Sequence, residues 1–176
     1  MVCYDSTGKV IAKKNHQGYN DASAWSRGQA WALYGYTVMY RETQNKKYLE
    51  QAEKIAAYYL NHPNLPKDKI PYWDFNAPNI PTEEKDASAA AIVASVLLEL
   101  QQYSKKNKQH YIQSAEAMLH SLSTLPYKAE PHSNNNFILK HSMGSKTLGK
   151  EVDQPLIYAD YYYLEALLRY QKLTSK

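Results

Sequence analysis

Between Ala87 and Leu100 nearly every residue is apolar or small. A helix over this stretch would have no polar face to give to water, so it must be surrounded by other elements on all sides. That requirement excludes a simple surface helix and demands a fold built around it. Four further stretches read as helices. One runs from about Ala24 to Gln44, with apolar and small positions such as Trp31, Leu33, Tyr34 and Val38 spread round the axis, which predicts burial on most sides. The next, about Lys47 to Asn61, is amphipathic, with Leu49, Ala52, Ile55, Ala56 and Tyr59 on one face and Pro63 and Pro66 to close it. The central helix is expected over about Glu83 to Ser104, after Thr82 and with acidic residues in its first turn. An amphipathic stretch follows at about Gln109 to Ser123. A Tyr- and Leu-rich helix closes the series at about Tyr158 to Leu173.

The order is buried, amphipathic, buried, amphipathic, buried. Lys47-Tyr48-Leu49-Glu50-Gln51-Ala52-Glu53 is echoed by His110-Tyr111-Ile112-Gln113-Ser114-Ala115-Glu116, an offset of 63 residues from Lys47 to His110. A repeated helical hairpin of that size predicts stacked α-hairpins, either a double-walled helical toroid or a linear solenoid. Three long connections, His16 to Ser23, Pro71 to Thr82 and Asn134 to Ile157, each precede a helix expected to be buried. In a toroid they gather on one face, where loops on a rigid scaffold usually carry function. Helix N-termini on that face favour anions. Residues 1–20 and 134–140 are read as places for short strands.

The bulk properties narrow the function. At 176 residues the chain fits one domain or a fraction of one. The net charge of +4 is scattered, without a basic stripe interleaved with aromatics, so nucleic acid is not expected as a partner. Cys3 is the only cysteine, which excludes an intrachain disulfide, and no Cys/His spacing suits zinc. No run approaches the ~18 apolar residues of a membrane span, and Met1 to Asn20 has no signal-peptide core, so localisation stays unassigned. There are 17 Tyr against two Phe, which suits wet, carbohydrate-binding surfaces as well as half-buried helix faces.

The segment Trp25-Ser26-Arg27-Gly28-Gln29-Ala30-Trp31 places a guanidinium and an indole at i and i+4 on one helix face. Such a pair suits a sugar acid, with a two-point clamp for the carboxylate and a plate for the ring. On composition alone the commoner arrangement, a core Trp beside an Arg held in a salt bridge, is the favoured reading. Asp74, Asp86 and Asp160 are candidate acids by residue type.

Taken in order, His16-Gln17-Gly18, the Trp25 to Trp31 segment, Pro71-Tyr72-Trp73-Asp74-Phe75, Asp86-Ala87-Ser88-Ala89 and Tyr158-Ala159-Asp160-Tyr161-Tyr162 resemble the unsaturated glucuronyl hydrolases of glycoside hydrolase family 88. Each motif is weak alone; the ordered set spans nearly the whole chain. The resemblance implies an all-α (α/α)6 toroid of hairpins, represented here by about five helices of an incomplete barrel. It implies that residues 1–176 are the C-terminal portion of one such hydrolase domain.

The implied reaction removes a 4,5-unsaturated glucuronic acid from the non-reducing end of lyase-generated oligosaccharides by hydrating its double bond. No metal or organic cofactor is implied. Gln17, Arg27 and Trp31 match positions that line the sugar-acid subsite, and His141 matches a loop histidine bordering it. Asp74, Asp86 and Asp160 do not match the family's catalytic positions. Those aspartates lie in the N-terminal half, so the chain alone is expected to be inactive, and either that half or self-association is expected to cover its open side. A sister family acting on unsaturated rhamnogalacturonan has Arg-Gly-Asn-Gly-Trp where this chain has Arg27-Gly28-Gln29-Ala30-Trp31. The stretch Gln154-Pro155-Leu156-Ile157-Tyr158 lacks the hydroxyl and lysine residues of members that accept sulfated sugars. The alternatives are the sister hydrolase and a non-catalytic helical-repeat interaction module.

Overall fold

In a computed structural model, which describes residues 1–175, five α-helices, one small hairpin and two single 3-10 turns make up the regular structure. Strands β1 (Val2–Tyr4) and β2 (Val10–Lys13) pair antiparallel. They are followed by α1 (Ser26–Thr43), α2 (Lys46–Leu60), α3 (Ala87–Leu100), α4 (Lys108–Leu122) and α5 (Ile157–Thr174). Helix α3 is the centre. All of its residues are buried, and it packs against α1, α4 and α5. Helices α1, α3 and α5 form one layer; α2 backs α1, and α4 backs α3. One hydrophobic core runs through both layers.

Local chemistry sets the helix ends. Asn45 caps α2 by accepting from the Lys47 N–H at 3.1 Å, and Gln44 before it ends α1 in the left-handed region. The structure starts α3 at Ala87 rather than near Glu83. Residues 84–86 instead run alongside 71–73, because the Trp73 N–H donates to the Glu84 carbonyl at 3.0 Å and the Asp86 N–H to the Pro71 carbonyl at 2.8 Å. Asp86, not Thr82, is the cap, accepting from the Ser88 N–H at 3.1 Å. Residues 1–20 do hold a hairpin, but 134–140 form no strand. Asn134, Asn135 and Asn136 all have positive φ, which asparagine tolerates and a strand does not.

The expectation of three helices buried on most sides holds for α3 alone. Helix α1 buries Ser26, Arg27, Ala30, Leu33 and Thr37, and α5 buries Ala159, Asp160, Tyr163 and Ala166. Each flanks α3 on one side and leaves apolar residues on another face open to solvent. The one acidic residue of α3, Glu99, is buried between two arginines: Arg169 at 2.8 Å and Arg41 at 3.1 Å. Paired guanidinium groups make that burial tolerable.

The long loops all enter helices of the α1–α3–α5 layer, so the N-termini of those three helices share one face. The Ala87 N–H at the start of α3 donates to the His141 carbonyl at 2.9 Å, and the Ser26 N–H at the start of α1 to the Trp73 carbonyl at 3.1 Å.

Candidate functional site

Three buried aspartates tie the loops to this face. Asp74 accepts from the Tyr19 N–H at 2.9 Å, the Ser23 hydroxyl at 2.7 Å and the Asn76 N–H at 2.8 Å. Asp160, in the first turn of α5 as read from the sequence, accepts from the Ile138 and Leu139 N–H groups at 2.8 and 2.9 Å. Asp86 accepts from Ser88 and from the Met143 N–H at 3.2 Å, besides its guanidinium partner described below. A carboxylate withdrawn from water needs such partners, and here they come from the loops themselves. None of the three has its oxygens turned loose into a cleft.

Arg27 joins all three loops. Its Nη1 meets Asp86 at 3.0 Å; its Nη2 donates to the Gln17 side-chain oxygen at 3.2 Å and to the Gly144 carbonyl. Gln17 belongs to the first loop, Asp86 ends the second and Gly144 lies in the third. The guanidinium carbon sits 5.0 Å from the Trp25 ring and 5.5 Å from the Tyr158 ring, a favourable pairing of cation and aromatic faces. Only 3% of Arg27 is exposed. Two glycines permit the packing. A side chain at Gly28 would meet the Trp25 ring at 2.5 Å, and one at Gly144 would meet the Glu151 side chain at 2.4 Å. Of the two readings the sequence offers for this pair, the structure shows the arginine held in a salt bridge. The helical spacing is right, but the loops fold over the first turn of α1 and occupy the guanidinium.

Trp31, one turn further along α1, is half-buried. Its ring lies 5.2 Å from Tyr162, edge to face, and 6.1 Å from Tyr158. Tyr158 thus touches both Arg27 and Trp31. Burial outweighs the nearby Arg27 charge and pushes the Tyr158 hydroxyl up to about 12, so it stays protonated at neutral pH. His141 differs. Its Nδ1 meets Asp153 at 2.7 Å and its ring stands edge-on to Tyr127 at 6.1 Å. Among the described residues its side chain makes no hydrogen bond to Gln17, Arg27 or Trp31. Its backbone carbonyl, accepting from the Ala87 N–H, is one of the contacts that anchor this loop.

Several participants escape a reading of the sequence. Tyr158 and Trp25 lie inside conspicuous motifs, yet nothing in their spacing tells that both flank Arg27. Gly144 has no signal at all. A second small cluster, Trp73, Ala77 and Met143, lies beside these loops. The Trp73 indole N–H donates to Glu83 at 2.8 Å, and Lys146 pairs with Glu83 at 3.4 Å and with Glu84. A cavity of about 470 Å³ opens there between Tyr19, Trp73, Asn79 and Lys146, one or more from each loop. Among the described residues no group of three His, Cys, Asp or Glu could hold a metal ion, and no helix is long and apolar enough to cross a membrane.

Comparison with known proteins places this arrangement. No protein-family model matches the chain. An unsaturated glucuronyl hydrolase of Formosa agariphila is 49% identical over 177 residues, which is 100% of this chain and 44% of that protein. One from Bacillus sp. (strain GL1) is 36% identical over 168 residues, covering 94% of this chain and 44% of that protein. A crystal structure described as an unsaturated glucuronyl hydrolase specific for heparin superposes with a TM-score of 0.95 at 50% identity, over 99% of this chain and 47% of that one. The chain spans a little under half the length of these relatives.

The buried pair makes a prediction. Asp86→Asn leaves the Arg27 charge buried without its carboxylate and should cost about 3–5 kcal/mol of unfolding free energy. Denaturant titration measures it. A loss below about 1 kcal/mol, the range of exposed pairs, would contradict the burial described here.

Proposed function

We propose that this chain, which resembles the unsaturated glucuronyl hydrolases in sequence and structure from end to end, carries the sugar-acid half of such an enzyme's substrate site. The substrate class is an oligosaccharide bearing 4,5-unsaturated glucuronic acid at its non-reducing end. One observation carries the reading. The three long loops meet on Arg27, with Gln17, Trp31 and Tyr158 beside it. A helical-repeat interaction module has no need of that convergence. The names of the relatives favour glucuronyl over rhamnogalacturonyl substrates.

The residues divide the work by chemistry. The Arg27–Gln17 contact, at 3.2 Å, is longer than the 3.0 Å pairing with Asp86 and involves a partly exposed partner. A substrate carboxylate takes its place, held by the Arg27 charge and by the amide N–H of Gln17. Trp31 walls the apolar face of the sugar ring. His141 borders the subsite through the loop that carries Gly144. The reaction adds water across the double bond. A proton goes to C4 and a hydroxyl to C5; the hemiketal so formed opens to a ketone at C5, which leaves C1 a hemiacetal of the acceptor, and that hemiacetal breaks down to an aldehyde and releases the acceptor sugar.

The proton needs a donor, and none of Gln17, Arg27 and Trp31 supplies one near neutral pH. Asp74, Asp86 and Asp160 are buried and spend their oxygens on loop N–H and side-chain donors. Tyr158 holds its proton too tightly. The donor therefore comes from outside this chain.

Two measurements follow. In a complete enzyme containing this site, Arg27→Lys should lower kcat/KM on an unsaturated glucuronyl disaccharide by about 10- to 150-fold, equivalent to ~1.5–3 kcal/mol for one charged hydrogen bond. Lysine can still pair with Asp86 but cannot reach Gln17 or the substrate with a second planar donor. An unchanged kcat/KM would remove Arg27 from the substrate site. The chain by itself, followed by ultraviolet absorbance of the conjugated double bond, should leave the signal constant. Steady loss abolished by Asp74→Asn would show that the donor is here after all.

A further inference from the structure

The end of the layer away from the loops holds a cavity that the sugar-acid site does not use. It has a volume of about 780 Å³ and lies where α3 and α5 end and α4 begins. Its wall is basic. Lys108, the first residue of α4, and Lys172, in the last turn of α5, line it together with Arg169. Among the described residues neither lysine pairs with a carboxylate. The carboxylates of the adjoining helix turns are already engaged. Glu99 and Glu165 face Arg169 at 2.8 and 3.4 Å, and Glu116 accepts from the Tyr170 hydroxyl at 3.0 Å. The carbonyls that close α3 are engaged too, since those of residues 97–100 all accept from backbone or side-chain N–H groups of residues 101–104. The two ammonium groups are thus left without a negative partner among the described residues.

Two further features tell what a ligand there must carry. No side chain caps α4. Asn107 turns its side-chain amide to the Tyr111 hydroxyl at 3.4 Å, so the first N–H groups of the helix, from Lys108 to His110, have neither a capping nor a helical partner. That end of a helix favours an anion. Gln101, on the same wall, is only 4% exposed. Its Nε2 donates to the Leu98 carbonyl at 3.2 Å, but its Oε1 is buried and accepts no hydrogen bond. A buried acceptor left unpaired is costly, and the partner it lacks is an O–H or N–H donor. Leu98 and Leu173 complete the wall with apolar surface.

We infer that this cavity is a second binding site, for an acidic sugar. The carboxylate or sulfate of one saccharide unit meets Lys108, Lys172 and the start of α4. A ring hydroxyl donates to the Gln101 Oε1, and the apolar face of the ring rests on Leu98 and Leu173. A bare inorganic anion answers only the first of these demands, and a neutral sugar only the other two. The 14 residues of α3 separate this end from the loop face, ~20 Å at the rise of an α-helix. One sugar unit cannot occupy both sites, and the second stands whether or not Arg27 binds substrate.

The test is nuclear magnetic resonance of the isotope-labelled chain, titrated in separate arms with D-glucuronate, a sulfate ester of glucose, glucose and inorganic sulfate. The backbone amides of Lys108 to His110 and the side-chain amide of Gln101 report the site. At least one of the two acidic sugars should shift these signals saturably, and the arm that does so identifies the acidic group. Glucose and inorganic sulfate should bind about tenfold more weakly or worse, each lacking part of the charge-assisted and neutral contact set. Lys108→Ala with Lys172→Ala should weaken the acidic sugar by about tenfold or more, and raised salt should weaken it as well. Both lysines are exposed, so the thermal melt should not move. Gln101→Met keeps the bulk but removes the acceptor, and should bring the acidic sugar down to the level of inorganic sulfate. If that variant does not fold, the four arms on the unaltered chain and the lysine double variant decide the matter. Signals that neither acidic sugar moves, that glucose moves equally, or that respond unchanged after the double substitution overturn the site. Inorganic sulfate binding as tightly as the acidic sugar overturns the sugar assignment and leaves an adventitious ion only. The Gln17 side-chain amide in the same spectra reports the Arg27 site, so the failure of either site is seen apart from the other.

Discussion

A buried ion pair holds the functional face together. Arg27 and Asp86 meet at 3.0 Å with 4% and 0% of their side chains exposed. Withdrawing two such charges from water is costly, and the pair is tolerated because both partners make further hydrogen bonds. Asp86 takes two donors of α3's first turn and one from the third loop. Arg27 gives to the first and third loops and lies between two aromatic rings. The same charges that would be a liability in a plain helical core thereby fix where three loops stand.

The core and the face depend on each other. Helix α3 can be apolar all round because α1, α4 and α5 enclose it, and its N-terminus lies at the convergence point because long loops enter α1, α3 and α5 from one side. The polar residues that the α1–α3–α5 layer does contain are matched across it. Glu99 lies between Arg41 and Arg169, and Glu165 accepts from Tyr34 and Ser95. These contacts lie along the helices beyond the loop face, so the layer is held at both ends. Hydrophobic burial supplies the bulk of the stability; the polar links decide the register in which the helices meet.

Much of this was legible in the residues, for identifiable reasons. The second helix was predicted within a residue of Lys46–Leu60, because its apolar face, its closing prolines and a polar outer face all agree. The burial of α3 followed from composition alone. Its start did not, since nothing local tells that residues 84–86 will pair with 71–73. The same limit applies to Arg27. Helical spacing correctly related it to Trp31, but the partners that bury it are 59 residues away at Asp86 and 117 away at Gly144. The burial expected for α1 and α5 failed for a different reason. Apolar composition records which faces are to be covered, whatever molecule does the covering.

The central claim is that Arg27 is both the keystone of the loops and the charge that faces the sugar acid. Nuclear magnetic resonance of the Arg27 guanidinium and the Gln17 side-chain amide, during titration of a complete enzyme with an unsaturated glucuronyl disaccharide, tests it most directly. The account predicts that the Arg27 Nη2 and Gln17 signals shift together as the substrate carboxylate replaces the Gln17 oxygen, while the Nη1 signal at Asp86 stays in place. Saturating substrate that moves neither group would contradict it and leave Arg27 a purely structural residue.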